Sequence, residues 1–217
     1  MNERIAIVAG GTGLVGNELV EELLARSDWT KVVLVGRRKS GRQHAKLEER
    51  VVELAALSSQ ALPRAEAAFC CLGTTIKKAG SQQAFRAVDL DAVVSFAKAV
   101  KAAGTERFFV VTATGADARS RIFYNRVKGE AEDALRQVGF ASLGIARPSL
   151  LLGDRAESRP GERVAVVLSR ALKPLLAPLA ARPIEARTVA KALLSMAGNP
   201  PPGARIYSNA ELHQLGS

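Results

Sequence analysis

Up to Pro148 the 217-residue chain alternates short apolar runs with amphipathic stretches. Ile5–Ala9 is a brief apolar run closed by glycines, the signature of a buried strand. Leu14–Arg26 then places Leu19, Val20, Leu23 and Leu24 on one helical face and Glu18, Glu21 and Glu22 on the other. Lys31–Gly36 predicts a second strand, Val51–Glu53 is a candidate for a short third, and Ala67–Leu72 predicts a fourth. A long helix over Gln82–Ala103, a fifth strand over Phe108–Thr112, a helix over Arg121–Val138 and a sixth strand over Ser142–Ala146 follow, with Gly139 as a helix stop. Strands spaced by helices imply right-handed βαβ units in a parallel sheet covered on both faces. The predicted class is therefore α/β, a Rossmann-type doubly wound parallel sheet.

After Pro148 the rhythm breaks. A charged Gly/Pro loop over Gly153–Arg163 precedes one helix and an extended piece near Pro183. A helix over Ala186–Met196 and a Pro-rich stop at Asn199–Pro202 complete the pattern. No internal repeat or low-complexity segment interrupts it. Residues 1–217 read as a single domain, with 149–217 as a small substrate-side extension too short for a confident domain of its own.

Composition narrows the class. The chain is 47% hydrophobic and 24% charged, which excludes collagen-like, disordered and coiled-coil proteins. Its 31 Lys and Arg against 21 Asp and Glu leave a formal charge of +10, which is compatible with a nucleic-acid binder or with an enzyme that handles anions, and much of which can serve solubility alone. Residues 31–60 hold seven basic and three acidic side chains, with Arg37, Arg38, Lys39 and Arg42 close together. That region lacks the interleaved aromatics of single-strand binders, and no zinc-finger or basic-zipper spacing occurs. No specific nucleic-acid partner is expected. Cys70 and Cys71 are adjacent, unsuited to a disulfide framework, and two histidines make a structural metal site improbable. The N-terminus lacks a signal-peptide layout. The longest apolar stretch, Val164–Ala181, is broken by Arg170, Lys173, Pro174 and Pro178, so no membrane span is expected. The expected location is the cytoplasm.

The strongest local motif joins the first strand to the first helix: Gly10-Gly11-Thr12-Gly13-Leu14-Val15-Gly16. Glycines at such a turn permit a tight bend, close approach to a pyrophosphate, and packing of helix on strand. The helix start then offers free N–H groups to phosphate. The second strand ends in Gly36-Arg37-Arg38, where a binder of NAD places a carboxylate for the ribose hydroxyls. An arginine there pairs with a 2′-phosphate. The expected cofactor is NADP(H), with Arg37 the first choice for the contact and Arg38 the second.

Tyr124 and Lys128 stand four residues apart on the helix after the fifth strand, and so share a face. An ammonium beside a phenol favours the phenolate. Such a tyrosine can give a proton to a carbonyl oxygen as a hydride arrives at the carbon.

With these residues in place, the chain resembles the short-chain dehydrogenase/reductase superfamily in its extended or atypical branch. It is most similar there to the Tat-interacting-protein-type oxidoreductases and their bacterial relatives. The matching segments are the Gly10–Gly16 turn, Val35–Arg38, Phe69–Thr75, Lys78-Ala79-Gly80, Val88-Asp89, Tyr124–Glu130 and Arg147 through Glu162. The resemblance implies a hydroxyl at the end of strand five. Thr112 is favoured and Thr114 held in reserve, because the second serine of the pair seen in many relatives falls on Ala113. It places Leu72, Gly73, Thr74 and Thr75 beside the cofactor, Pro148 near the nicotinamide, and Lys128 on the nicotinamide ribose. Arg155, Arg159 and Arg163 would border the substrate entrance, where they either meet an anionic substrate or, the favoured reading, pair with acids of their own loop.

The leading expectation is an NADPH-dependent oxidoreductase acting on a small carbonyl, with Tyr124 as acid, Lys128 as its partner and Thr112 as the carbonyl contact. An epimerase or dehydratase of nucleotide sugars is a second outcome of the same site. A non-catalytic NADPH sensor is the rival class, disfavoured because the Tyr–Lys pair is retained. A monomer and a homodimer are both compatible with the pattern.

Overall fold

A computed structural model describes residues 4–53, 61–153 and 182–217. The helix expected inside Val164–Ala181 and the loop arginines Arg155, Arg159 and Arg163 lie outside the described residues. The chain runs β1 (Ile5–Ala9), α1 (Leu14–Ala25), β2 (Lys31–Gly36), β3 (Leu47–Val51), β4 (Ala67–Cys70), α2 (Ile76–Ala79) and α3 (Gln82–Arg86). A π-helical segment over Ala87–Ala92 leads into α4 (Val93–Ala102), β5 (Arg107–Val111), α5 (Phe123–Val138) and β6 (Ser142–Ala146). Short strands β7 (Leu151–Leu152) and β8 (Ile184–Glu185), then α6 (Ala186–Gly198), β9 (Gly203–Tyr207) and α7 (Asn209–Leu215), complete the described chain.

The main sheet has seven strands in the order β3-β2-β1-β4-β5-β6-β9, and every neighbouring pair is parallel. This is the doubly wound order expected from the sequence. Alternate residues of each strand face opposite layers. Ala6, Val8, Phe69 and Phe109 pack towards α1 and α6, whereas Ile7, Ala9, Phe108 and Val110 pack towards α4 and α5. Trp29 meets Phe69 edge-on, and Phe69 stacks on Phe109 with centroids 5.5 Å apart. The order reverses at β1 and β4, so the loops after these strands diverge and leave the crevice where ligands of such sheets bind.

Three parts depart from the sequence expectation. The third strand is Leu47–Val51, not Val51–Glu53. It is an edge strand with half-buried residues, so its Leu-Glu-Glu-Arg-Val sequence carries no apolar run, and Glu48 bridges Lys31 and Arg50 at 2.6 Å each. The run over Gln82–Ala103 is helical, but a π segment divides it. Past the Pro-rich stop, the chain re-enters the main sheet as β9 beside β6. Of the expected extension, β7 and β8 therefore form a separate small sheet, whereas α6 covers α1 and β9 widens the main sheet. The α7 helix opens with a capping box, in which the Ser208 hydroxyl accepts from the Glu211 N–H and the Glu211 carboxylate accepts from the Ser208 N–H at 2.8 Å. Ser208→Ala is expected to cost about 1 kcal/mol, readable as a lowered midpoint of urea unfolding with an unchanged slope.

Candidate active site

The glycine turn is built for close approach. Gly10 has φ +82, and a Cβ there would sit 2.5 Å from the Cys71 carbonyl carbon. A side chain is excluded twice over, by the left-handed backbone and by the loop leaving β4. A Cβ on Gly16 would lie 2.8 Å from the Gly10 carbonyl carbon and closer still to its oxygen. The first turn of α1 can therefore press onto the bend only because residue 16 is bare. Gly13 caps α1 without a side-chain hydrogen bond, and no acid occupies the first turn. The leading N–H groups of α1 and its positive dipole end are thus left for an anion. Thr12 and Gly13 are exposed on that rim, and Leu14 and Val15 begin the helix behind it.

The basic cluster separates into two kinds of residue. Arg42 donates to Asn17 Oδ1 and Glu21 Oε1, Lys46 to the Leu24 and Arg26 carbonyls, and Arg50 to Glu48. Arg37 and Arg38 are exposed just beyond β2 and have no hydrogen-bond or ion-pair partner among the described residues. With the exposed Lys39 beside them, they are free to meet a ligand.

The loop after β4 lies against the glycine turn, and Leu72 and Thr74 are half-buried there while Gly73 and Thr75 are exposed. The Thr74 N–H donates to Asp89 Oδ2 at 2.9 Å, and Thr75 caps α2 by accepting from the Lys78 N–H. Asp89 belongs to the π segment, and its other oxygen, Oδ1, is 2.8 Å from Lys128 Nζ. The side chains of Lys128 and Asp89 are 6% and 0% exposed, so this is an ion pair taken out of water. Burial works against the lysine charge, but the Asp89 carboxylate, with Tyr124 beside it, raises the Lys128 pKa above the ordinary lysine value. A Cβ on Gly73 would come within 3.4 Å of Asp89 Oδ1 and 3.6 Å of Lys128 Nζ.

Tyr124 is half-buried one helical turn before Lys128, its ring tilted against Phe85 with centroids 5.5 Å apart. The loop after β5 reaches α5 because Gly129 is bare: a Cβ there would collide with the backbone of Asp117 and Ala118.

The two threonines after β5 have different surroundings. Thr112 is buried, and its hydroxyl lies 2.8 Å from Glu132 Oε1 and 3.3 Å from the Ala146 carbonyl oxygen. Glu132 also accepts from Arg147 Nε and Nη2 at 2.9 and 2.6 Å. Thr114 is exposed, donates its hydroxyl to the Arg147 carbonyl at 3.1 Å, and donates its N–H to the Pro148 carbonyl at 2.9 Å. Thr112 thus faces the buried Glu132 cluster, and Thr114 stands at the surface beside Pro148.

Asp89 and Glu132 carry no functional role in the sequence reading. Glu132 continues the i, i+4, i+8 stripe of Tyr124 and Lys128, so its position was visible without its partners. Cys70 is buried and Cys71 half-buried, and desolvation pushes the Cys70 thiol up to about 12 and raises that of Cys71 as well. Raised thiols of this kind at the β4 end are poor nucleophiles. Among the described residues no cluster of His, Cys, Asp and Glu is arranged to hold a metal ion. Among them, too, no helix is long and apolar enough to cross a membrane.

Residues 10–200 match the family model described as NAD(P)H-binding. The chain belongs to the NAD(P)H-binding atypical short-chain dehydrogenase/reductase family. It is 37% identical over 170 residues to Protein HTATIP2 of Rattus norvegicus, covering 76% of this chain and 70% of that protein. Against "Protein fmp52, mitochondrial" of Emericella nidulans it is 35% identical over 171 residues, covering 75% and 73%. Two solved structures share the fold. MoeE5 in complex with UDP-glucose and NAD superposes with a TM-score of 0.71 at 19% identity, over 97% of this chain and 80% of that one. The Bordetella bronchiseptica enzyme WbmH in complex with NAD+ gives 0.71 at 18%, over 95% and 76%. In this chain the crevice at the β1/β4 reversal is bounded by the glycine turn and the loop after β4.

Proposed function

We propose that this chain is an NADPH-dependent oxidoreductase that reduces a small carbonyl compound. The observation that carries the reading is the placement of Tyr124 one turn from a buried, charged Lys128, beside the loop that borders the dinucleotide crevice. The residues fit the cofactor: Gly10 and Gly16 let the bend, the loop after β4 and the start of α1 pack closely, α1 begins without a side-chain cap or an acid in its first turn, and Arg37 and Arg38 are exposed without a hydrogen-bond or ion-pair partner among the described residues. Gly10–Gly16 would hold the pyrophosphate, Arg37 with Arg38 the 2′-phosphate, and Leu72–Thr75 the adenosine side. Pro148 would flank the nicotinamide, and Lys128 would hold its ribose. When bound, reduced nicotinamide supplies the hydride that reaches the carbonyl carbon. Tyr124 gives its phenolic proton to the carbonyl oxygen, so the product is the alcohol, and the phenolate regains a proton from solvent. Lys128 stabilises that phenolate by charge.

The hydroxyl that contacts the carbonyl is proposed to come from the end of β5. Thr114 is the better placed of the two for a ligand, because it is exposed beside Pro148, whereas Thr112 serves Glu132. The cofactor preference is tested by titration. Arg37→Glu is expected to weaken NADPH binding at least about tenfold, about 1.4 kcal/mol, with little change for NADH. Equal affinity of the native chain for NADH and NADPH, with a neutral Arg37→Glu, overturns the preference. Tight NADPH binding without turnover across aldehydes, ketones and quinones supports the sensor instead. A cytoplasmic location remains part of the proposal; since fungal relatives carry mitochondrial names, fractionation of cells producing the full-length protein discriminates between the two.

A further inference from the structure

The connection from β2 to β3 is short and non-helical. The two strands are parallel, so the chain must cross over between them, and such crossovers are usually made by a helix. Residues 37–46 contain neither helix nor strand. Their backbone therefore lacks the internal hydrogen-bond ladder that would hold Arg37 and Arg38 in one arrangement.

Side chains supply the restraint. Arg42 Nη2 donates to Asn17 Oδ1 at 2.5 Å and to Glu21 Oε1 at 3.0 Å. Asn17 and Glu21 stand four residues apart on α1 and so share a face. Lys46 Nζ donates to the Leu24 and Arg26 carbonyls at 3.3 and 2.8 Å, groups that the end of a helix leaves without an internal partner. Within the connection, the Arg42 N–H donates to the Ser40 hydroxyl at 3.2 Å, and the Ser40 N–H donates to Glu49 Oε1 at 2.7 Å. A lone surface ion pair would do little. Here the Arg42 side chain is only 22% exposed and one of its nitrogens has two acceptors on the same helix. Its charge is met by Glu21, whereas Arg37 and Arg38 have no partner among the described residues. That division suits one residue that holds the loop and two that meet an anion.

We propose that Arg42 is a positioning residue for recognition of the cofactor's 2′-phosphate: gripped by Asn17 and Glu21, it fixes the β2–β3 connection against α1 and keeps Arg37 and Arg38 in place at the end of β2. This role rests on the reading of NADPH as the cofactor. Its consequence is opposite in sign to simple electrostatics. Glu21 is a negative charge in a basic region, so charge alone predicts tighter NADPH binding when it is removed. Removing it together with Asn17 instead frees the connection, and Arg37 and Arg38 must then be ordered as NADPH binds.

The test measures NADPH and NADH dissociation constants by fluorescence titration of the full chain, native, Asn17→Ala/Glu21→Gln and Arg42→Met. Both variants are expected to weaken NADPH binding by about three- to tenfold, the ordering cost of one or two long side chains. NADH, which has no 2′-phosphate, should stay within about twofold. NADPH binding that is unchanged or tighter in Asn17→Ala/Glu21→Gln overturns the proposal; if Arg42→Met alone weakens it, Arg42 is a direct phosphate contact. Equal losses for NADPH and NADH place the damage in the glycine turn and overturn it as well. A native chain that binds the two cofactors equally overturns the NADPH reading, and the proposal with it. A native preference kept by both variants overturns the proposal alone. Should the double variant fail to fold, amide exchange of Ser40 in the free chain is compared between native and Arg42→Met. Faster exchange in Arg42→Met supports the proposal, and unchanged protection overturns it.

Discussion

Tyr124→Phe is expected to lower NADPH oxidation by about 10²–10⁴-fold, the usual contribution of a positioned acid. The change deletes the phenolic O–H and keeps the ring, so the contact with Phe85 survives. The effect should fall on kcat, because in the proposed reaction the hydroxyl would act on the reacting oxygen and not on the cofactor's pyrophosphate. NADPH affinity, measured by fluorescence titration, should stay within about threefold of the native value. A variant that turns over at the native rate removes Tyr124 from the mechanism, whatever the cofactor affinity.

Glu132→Ala is expected to destabilise the fold by about 3–5 kcal/mol, the scale for breaking a buried ion pair from one side. Glu132 is 1% exposed and accepts from Thr112 and from two nitrogens of Arg147, while Arg136 lies 3.6 Å away. Alanine would leave the Arg147 guanidinium and the Thr112 hydroxyl facing a gap. The cluster also joins α5 to the ends of β5 and β6, the three places that carry Tyr124 with Lys128, Thr114 and Pro148. Thermal unfolding should therefore show a midpoint lowered by about 10 °C or more. Glu132→Gln retains an acceptor for Thr112 and should lose less. A Glu132→Ala chain as stable as the native one would show that this cluster is not what holds α5 to β5 and β6.

The legibility of the site followed the range of the interactions. The Gly10–Gly16 turn was readable because its constraints act within one βα unit: a bend, a bare helix face and an uncapped N-terminus. Tyr124 and Lys128 were readable because helical periodicity places residues four apart on one face. Asp89 was visible only as part of a resemblance, because a π segment breaks the 3.6-residue period that a reader of the pattern extends through it. The third strand was displaced for a related reason. An edge strand pairs on one side only, so it tolerates Glu48, Glu49 and Arg50 and shows no apolar run. Strand β9 was missed because four of its five residues are exposed. The Ser208–Glu211 capping box is a local signal that marks the start of α7 without reference to the rest of the fold.

By itself the sequence determined the βα rhythm, the parallel doubly wound class, the glycine turn, the acid-free end of β2 and the spacing of Tyr124 and Lys128. All of these are set by short-range sterics, hydrophobic period and local charge. Tertiary structure alone decided which charges are free and which are used. It left Arg37 and Arg38 open while committing Arg42, Lys46 and Arg50 to neighbours. It also turned Thr112 towards Glu132 and paired Lys128 with Asp89. The reason is that a buried charge must find its counter-charge across the fold, and the partner that ends within reach is chosen by how helices and strands pack, not by spacing along the chain.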